Sequence, residues 1–196
     1  MATVLCNSLL SRPMKYIEVF RHSKRGAGKG LSEEGKVLAL KARGLLASRY
    51  DLRISSPKER ARETMEALGF ERYEVDEAFT AVNPWEPFDA EVMRLAKERD
   101  ISPLAACWEV PQALGRLKLQ GETFLAAIKR VARRLPEEGR ALVISHGGIL
   151  EAAALHCRPR YDLAELGGEV GVCEAAVFKL DGDQLAGVEI KRLPTT

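Results

Sequence analysis

The run RALVIS, residues 140–145, ends directly in His146-Gly147-Gly148 and passes into the helical stretch ILEAAALH. Apolar after its first residue, it reads as a strand with both faces covered. The same order recurs upstream. KYIEVF, residues 15–20, leads through Arg21-His22 to a helical pattern over 32–48, with Ser32 placed to cap it. DLRIS leads to PKERARETMEAL, a helix with Pro57 in its first turn. ERYEV is a further short strand candidate. GETFLAAIKRVARRL reads as an amphipathic helix with Leu125, Ile128, Val131 and Leu135 on one face, and Lys129, Arg130, Arg133 and Arg134 on the wet side. At the end of the chain, GVCEAAVFKL and QLAGVEIKRL flank Asp-Gly-Asp, the pattern of a hairpin. This alternation predicts an α/β fold: three layers, α/β/α, a mostly parallel central sheet and a C-terminal hairpin.

Residues 14–196 are expected to form a single domain, with residues 1–13 as an N-terminal extension before Met14. Residues 80–120, with Pro84, Pro87, Pro103 and Pro111, read as an irregular insertion over one edge, with one helix near 88–98. Trp85 and Trp108 within it either line a cleft or anchor the insertion on the core.

A net charge of +2, with 30% charged residues and no dense basic run, does not suggest nucleic-acid binding. No apolar run has the length to cross a membrane, and the leader MATVLCNSLLSRP lacks the basic start of a secretory signal. Cys6, Cys107, Cys157 and Cys173 form no C-x-x-C pair. They read as reduced thiols, which points to the cytoplasm. The oligomeric state is left open, a homodimer included.

Ligands of open α/β sheets bind beyond the C-terminal strand ends. Here those ends carry Arg21-His22, Ser55-Ser56 with the turn after it, and His146-Gly147-Gly148, and the turn after Ser56 carries Arg60 and Arg62. Arginine grips phosphate through a planar fork, and a helix start preceded by glycines favours an anion. A neutral imidazole can take phosphorus as a phosphoramidate. The constellation suits phosphoryl transfer without a metal or any other cofactor. GAGKG, residues 26–30, is not a nucleotide loop: Ser23 stands where that motif needs its first glycine, and Gly30 where it needs a hydroxyl.

FRHS, LSEEGKVLALKA, SSPKERARET, GET and VISHGG, in this order, resemble the histidine phosphatase superfamily, the phosphoglycerate-mutase-like proteins. The resemblance runs from about Lys15 to the hairpin. It implies that His22 is the phosphorylated nucleophile and that Arg21, Arg60 and His146 complete a catalytic phosphate pocket. Arg60 is preferred to Arg62 because Thr64 follows it by four, as in the superfamily motif. Gly147 is expected to offer a backbone N–H, and Ser23, where the superfamily usually has Gly or Ala, a hydrogen bond to substrate. Many members carry an acid glutamate at the position that Ala81 occupies here, so either Glu77 or Glu86 is the proton donor, or the chain resembles the compact branch of the superfamily that works without that glutamate. Glu122 of GET is expected to serve the start of its helix, Arg62 to lie on the surface, and His156 to be structural or exposed. The implied activity is hydrolysis of phosphomonoesters of a small metabolite, or of phosphohistidine, through a covalent intermediate at His22. The alternatives are a phosphoglycerate-type mutase and a non-catalytic phosphate-binding regulatory module. The expected partner is a small phosphorylated substrate, with no nucleic acid and no membrane.

Overall fold

The computed structural model describes residues 13–81 and 86–194. Its centre is a six-stranded sheet built from β1 (Met14–Arg21), β2 (Leu52–Ser55), β3 (Glu74–Val75), β4 (Arg140–Ser145), β5 (Ala175–Asp181) and β6 (Gln184–Lys191), in the order β3-β2-β4-β1-β5-β6. The first four strands of that order pair in parallel. β5 joins β1 antiparallel, and β6 closes the hairpin on β5 around Gly182.

Strand alternation divides the core into two faces. Ile17 and Val19 of β1 and Ala141 and Val143 of β4 face one way, against α5 (Pro111–Arg134) and α6 (Ile149–Leu155). Phe20, Leu142 and Ile144 face the other way, against α1 (Glu33–Ala42) and α2 (Glu59–Ala67). Three layers result, as the alternation predicts. Ser32 caps α1 by accepting from the Gly35 amide at 3.0 Å. The helix is shorter than its apolar pattern, passing at Arg43–Leu45 into a single tight turn. Pro57 precedes α2 rather than lying within it.

The expectation of an irregular segment over 80–120 is corrected. Besides the expected helix near 88–98, which is α3 (Asp89–Arg99), it holds α4 (Pro103–Cys107) and the first turns of α5. Pro103 and Pro111 sit in the first turns of α4 and α5, where a missing N–H costs nothing and the fixed φ helps. They start helices instead of breaking them. Val92, Leu104, Val110 and Leu117 then form a third apolar cluster against Ala152. Trp108 anchors this part: its indole N–H donates to the Tyr161 carbonyl at 3.1 Å, and its ring stacks on Tyr161. Trp85 lies outside the described residues.

GET is therefore not a helix start. Gly121 lies in the middle of α5, where it crosses α6, and a Cβ there would stand 2.8 Å from the backbone carbon of Ala152. Glu122 is exposed beside it. Gly121→Val is expected to lower the unfolding free energy by about 2–3 kcal/mol, the cost of overpacking a tight contact. Urea denaturation reads this directly. A gain in stability, as an exposed helical glycine would give, would show that the crossing is not tight.

His156 ends α6, with Nε2 3.0 Å from the Lys118 carbonyl, and ties that helix to α5. Among the described residues, no helix is long and apolar enough to cross a membrane, and Cys107, Cys157 and Cys173 are free thiols.

Candidate active site

Sheet register brings the site together. β1 and β4 are parallel neighbours with Arg21 opposite Ser145, so the next residues, His22 and His146, emerge side by side. The His22 amide extends the ladder by donating to the Ser145 carbonyl at 2.9 Å. The two imidazoles lie 5.0 Å apart, edge to face. β2 flanks β4 on the other side with Ser55 opposite Ile144, which places Ser56 beside His146. The Ser56 Oγ to His146 Nε2 distance is 2.7 Å. The turn after Ser56 starts α2, whose first turn carries Arg60.

Arg60 joins both histidines. Its Nε donates to His22 Nε2 at 2.9 Å, and its Nη2 lies 3.1 Å from His146 Nδ1. A guanidinium only donates, so both of those ring nitrogens accept. The tautomers follow. The proton of His22 is on Nδ1, directed at the Ser23 carbonyl 2.7 Å away, and the proton of His146 is on Nε2, directed at Ser56. His22 thus turns the lone pair of Nε2 into the site.

Burial and neighbouring positive charge keep both rings neutral. The pKa of His22 is pushed down to about 4, first by burial and then by Arg60, Arg21 and Arg25, with the Ser23 bond acting the other way. That of His146 is pushed down to about 3, by burial, then by His22, Arg60, Lys58 and Arg21. In the unfolded chain a histidine titrates near 6.5. As the pH falls from about 6.5 toward 4, the unfolded chain takes up protons that the folded site refuses, and stability is lost. The slope is at most about 1.4 kcal/mol per pH unit for each ring. Urea midpoints between pH 7 and 4.5 are expected to fall less steeply in His22→Asn than in the unsubstituted protein; equal slopes would mean that His22 titrates normally in the fold.

Thr64 explains the spacing that singled out Arg60. Its hydroxyl donates to the Arg60 carbonyl at 2.6 Å and accepts from the Ser23 amide at 2.9 Å, locking α2 to the His22 loop. The Ser23 hydroxyl is buried and donates to the Gly35 carbonyl at 2.6 Å, so it serves the loop-to-α1 junction. Arg21 donates through Nη1 to the Val170 carbonyl at 2.7 Å, and its Nε is buried without a partner. Gly147 packs against that guanidinium; a Cβ would stand 2.7 Å from Arg21 Cζ.

Glu151 was not among the residues singled out in the sequence. Fully buried, it accepts from the Gly148 amide at 2.7 Å and the Val170 amide at 3.0 Å, fixing the turn after His146. Burial pushes its carboxyl up, against the pull of Arg21 and these amides. Its position three residues after Gly148, in the first turn of a helix, is the available sequence signal. Ser56 has a weaker one, its place at a strand end.

A cavity of about 820 Å³ opens beside Arg60, lined also by Lys29, Lys58, Arg62, Glu63 and Ala81. Ala81 thus presents a methyl group where the superfamily resemblance places an acid. Glu77 is exposed and accepts from the Thr80 hydroxyl at 3.2 Å, and Glu86 is exposed. Neither lines this cavity.

The family model of the histidine phosphatase superfamily (branch 1) matches residues 21–191. The chain belongs to the histidine phosphatase superfamily. Among solved structures, phosphoglycerate mutase from Bacillus anthracis is similar at a TM-score of 0.66 with 16% identity, over 90% of this chain and 92% of that one. A mycobacterial glucosyl-3-phosphoglycerate phosphatase gives 0.61 and 18% over 92% and 99%. Phosphoserine phosphatase from Entamoeba histolytica gives 0.59 and 15% over 93% and 98%. At these identities the likeness shows the superfamily fold. No curated protein matches the sequence significantly. By name, these structural neighbours include two phosphatases and a mutase.

Proposed function

We propose that the protein is a phosphatase that hydrolyses phosphomonoesters of small metabolites through a phosphohistidine at His22. The observation that carries this reading is the Arg60 guanidinium bridging His22 Nε2 and His146 Nδ1. It gathers a tautomerically fixed, neutral imidazole and a permanent cation at one point. Phosphate oxygens compete for the N–H groups of Arg60, and as they take them the Nε2 lone pair is released toward phosphorus. The Nε2–P bond forms, the P–O ester bond breaks, and the leaving oxygen takes a proton. Water then attacks phosphorus and gives its proton to the group that protonated the leaving oxygen, the N–P bond breaks, and inorganic phosphate leaves with His22 restored. Arg21, Arg60 and His146 carry the charge on the transferring oxygens. The Ser23 carbonyl holds the Nδ1 proton throughout and stabilises the positive charge that develops on the ring.

The leaving oxygen draws its proton from Glu77, Glu86 or the cavity-lining Glu63. Single glutamine variants, assayed on alkyl against nitrophenyl esters, separate them, because only the poor alkyl leaving group needs the acid.

The test is a screen of phosphomonoesters for phosphate release, with a labelled ester and an alkaline denaturing quench to trap phosphate on His22. Release with trapped label supports the reading. Isomerised ester in place of free phosphate would make the protein a mutase, and phosphate binding without label or turnover would make it a binding module.

A further inference from the structure

Arg192, the residue after β6, collects four successive backbone carbonyls. Its Nη2 donates to those of Leu166, Gly167 and Gly168 at 2.8, 3.3 and 3.2 Å, and its Nη1 to that of Glu169. Nη1 also meets the Glu174 carboxylate at 2.5 Å. Carbonyl dipoles that converge on one point repel one another unless a cation with several N–H groups stands there, and a guanidinium offers five. The segment 167–174 lies in no helix or strand. Cys173 within it has φ 61°, a conformation that a residue with a Cβ keeps only where its surroundings impose it. Glu174 closes the turn: Oε2 also accepts from the Gly171 amide at 2.8 Å, and Oε1 from the Leu193 amide at 3.3 Å.

The same segment wraps Arg21. The Arg21 amide donates to the Glu174 carbonyl at 2.9 Å, and the Arg21 carbonyl accepts from the Cys173 amide at 3.0 Å. The Arg21 guanidinium donates to the Val170 carbonyl at 2.7 Å. The Val170 amide donates to Glu151, which in turn holds the Gly148 amide in the turn after His146. One peptide unit therefore separates the Glu169 carbonyl, which Arg192 grips, from the Val170 carbonyl, which holds Arg21. A shift of that peptide re-aims the guanidinium. Catalytic groups are sensitive to such shifts: a misplacement of about 1 Å, caused far from the chemistry, can cost about 100-fold in rate.

We infer that Arg192 is a positioning residue of the phosphate pocket: by gathering the carbonyls of 166–169 it fixes the Glu169–Val170 peptide, and through it the plane of the Arg21 guanidinium. This rests on the reading of the site as a phosphatase and deepens it. Arg192 touches no transferring atom. Its charge acts on the segment, and the segment on Arg21.

A double-mutant cycle on the full-length protein tests it. The unsubstituted protein, Arg192→Ala, Arg21→Ala and the double variant are compared by turnover of nitrophenyl phosphate and by calorimetric affinity for inorganic phosphate. Arg192→Ala is expected to lower kcat about tenfold or more and to weaken phosphate about fivefold. In the Arg21→Ala background the same substitution is expected to change either quantity by less than about twofold, because the group it positions is gone. A role confined to stability would give equal losses in both backgrounds, and that result would overturn the inference. Unchanged kcat and phosphate affinity in Arg192→Ala would overturn it too. Arg192→Lys keeps a cation among the carbonyls, with a single point in place of the fork. It is expected to lower kcat about threefold, again only where Arg21 is present, and it takes the place of alanine in the cycle if urea denaturation shows that Arg192→Ala does not fold. Phosphate binding is read without turnover, so the two readings fail separately. Non-additive affinities in a protein that hydrolyses no ester would remove the phosphatase and leave Arg192 in its role, whereas turnover with additive losses would do the reverse.

Discussion

His22→Ala is expected to lower phosphate release by at least about 10⁴-fold and to abolish labelling of the protein. The size follows from the role. Covalent catalysis splits one difficult displacement into two easier ones, and without the imidazole both routes disappear together. Nothing beside His22 can substitute. His146 has Nε2 committed to Ser56 and Nδ1 to Arg60, and the Ser23 hydroxyl is buried against the Gly35 carbonyl. Affinity for inorganic phosphate is expected to change far less than turnover, because the two arginines remain. Folding is expected to survive, since the ring belongs to none of the apolar clusters. Single-turnover kinetics with the labelled ester separate the cases: a variant that keeps more than about 1% of the rate, or labels at another residue, would remove His22 from its role.

Much of this site was legible because its residues stand at strand ends. A parallel sheet places the ends of neighbouring strands together, so Arg21-His22, Ser56 and His146 had to meet once KYIEVF, DLRIS and RALVIS were read as strands. Arg60 was legible through Thr64, whose two hydrogen bonds now give the spacing a cause. The segment between Phe79 and Gly121 was harder. Prolines read as breakers, yet two of them start helices, and only the apolar cluster against Ala152 makes those helices worthwhile. Buried charge was not legible either. Glu18 in β1 looks like any surface carboxylate, and Glu151 in α6 is marked only by its place three residues after Gly148. Their other partners are remote in sequence: Arg140, Lys191 and Tyr50 for Glu18, and the Val170 amide for Glu151. Composition carries no record of such pairings, which depend on how the layers close.

Arg60→Ala is expected to lower kcat/KM by about 10³-fold while moving the two histidines in the opposite sense to burial. Arg60 contributes to the depressed pKa of both rings. Removing its charge and its two N–H groups therefore raises both pKa values, and NMR titration of the ring protons reads the change without reference to activity. Arg60→Lys is the more discriminating variant. It keeps the charge but not the fork: Nε and Nη2 reach two rings whose centroids are 5.0 Å apart, whereas an ammonium is a single point on a flexible stem. Lysine is thus expected to recover less than about a tenth of the lost kcat/KM, even though part of the histidine pKa depression returns. The deficit is expected mainly in kcat, because the planar fork matches the oxygens of phosphorus in flight better than those of the bound ester. Near-complete recovery by lysine would show that Arg60 acts as a point charge, and the bridge between the histidines would then be a feature of packing without consequence for the transfer.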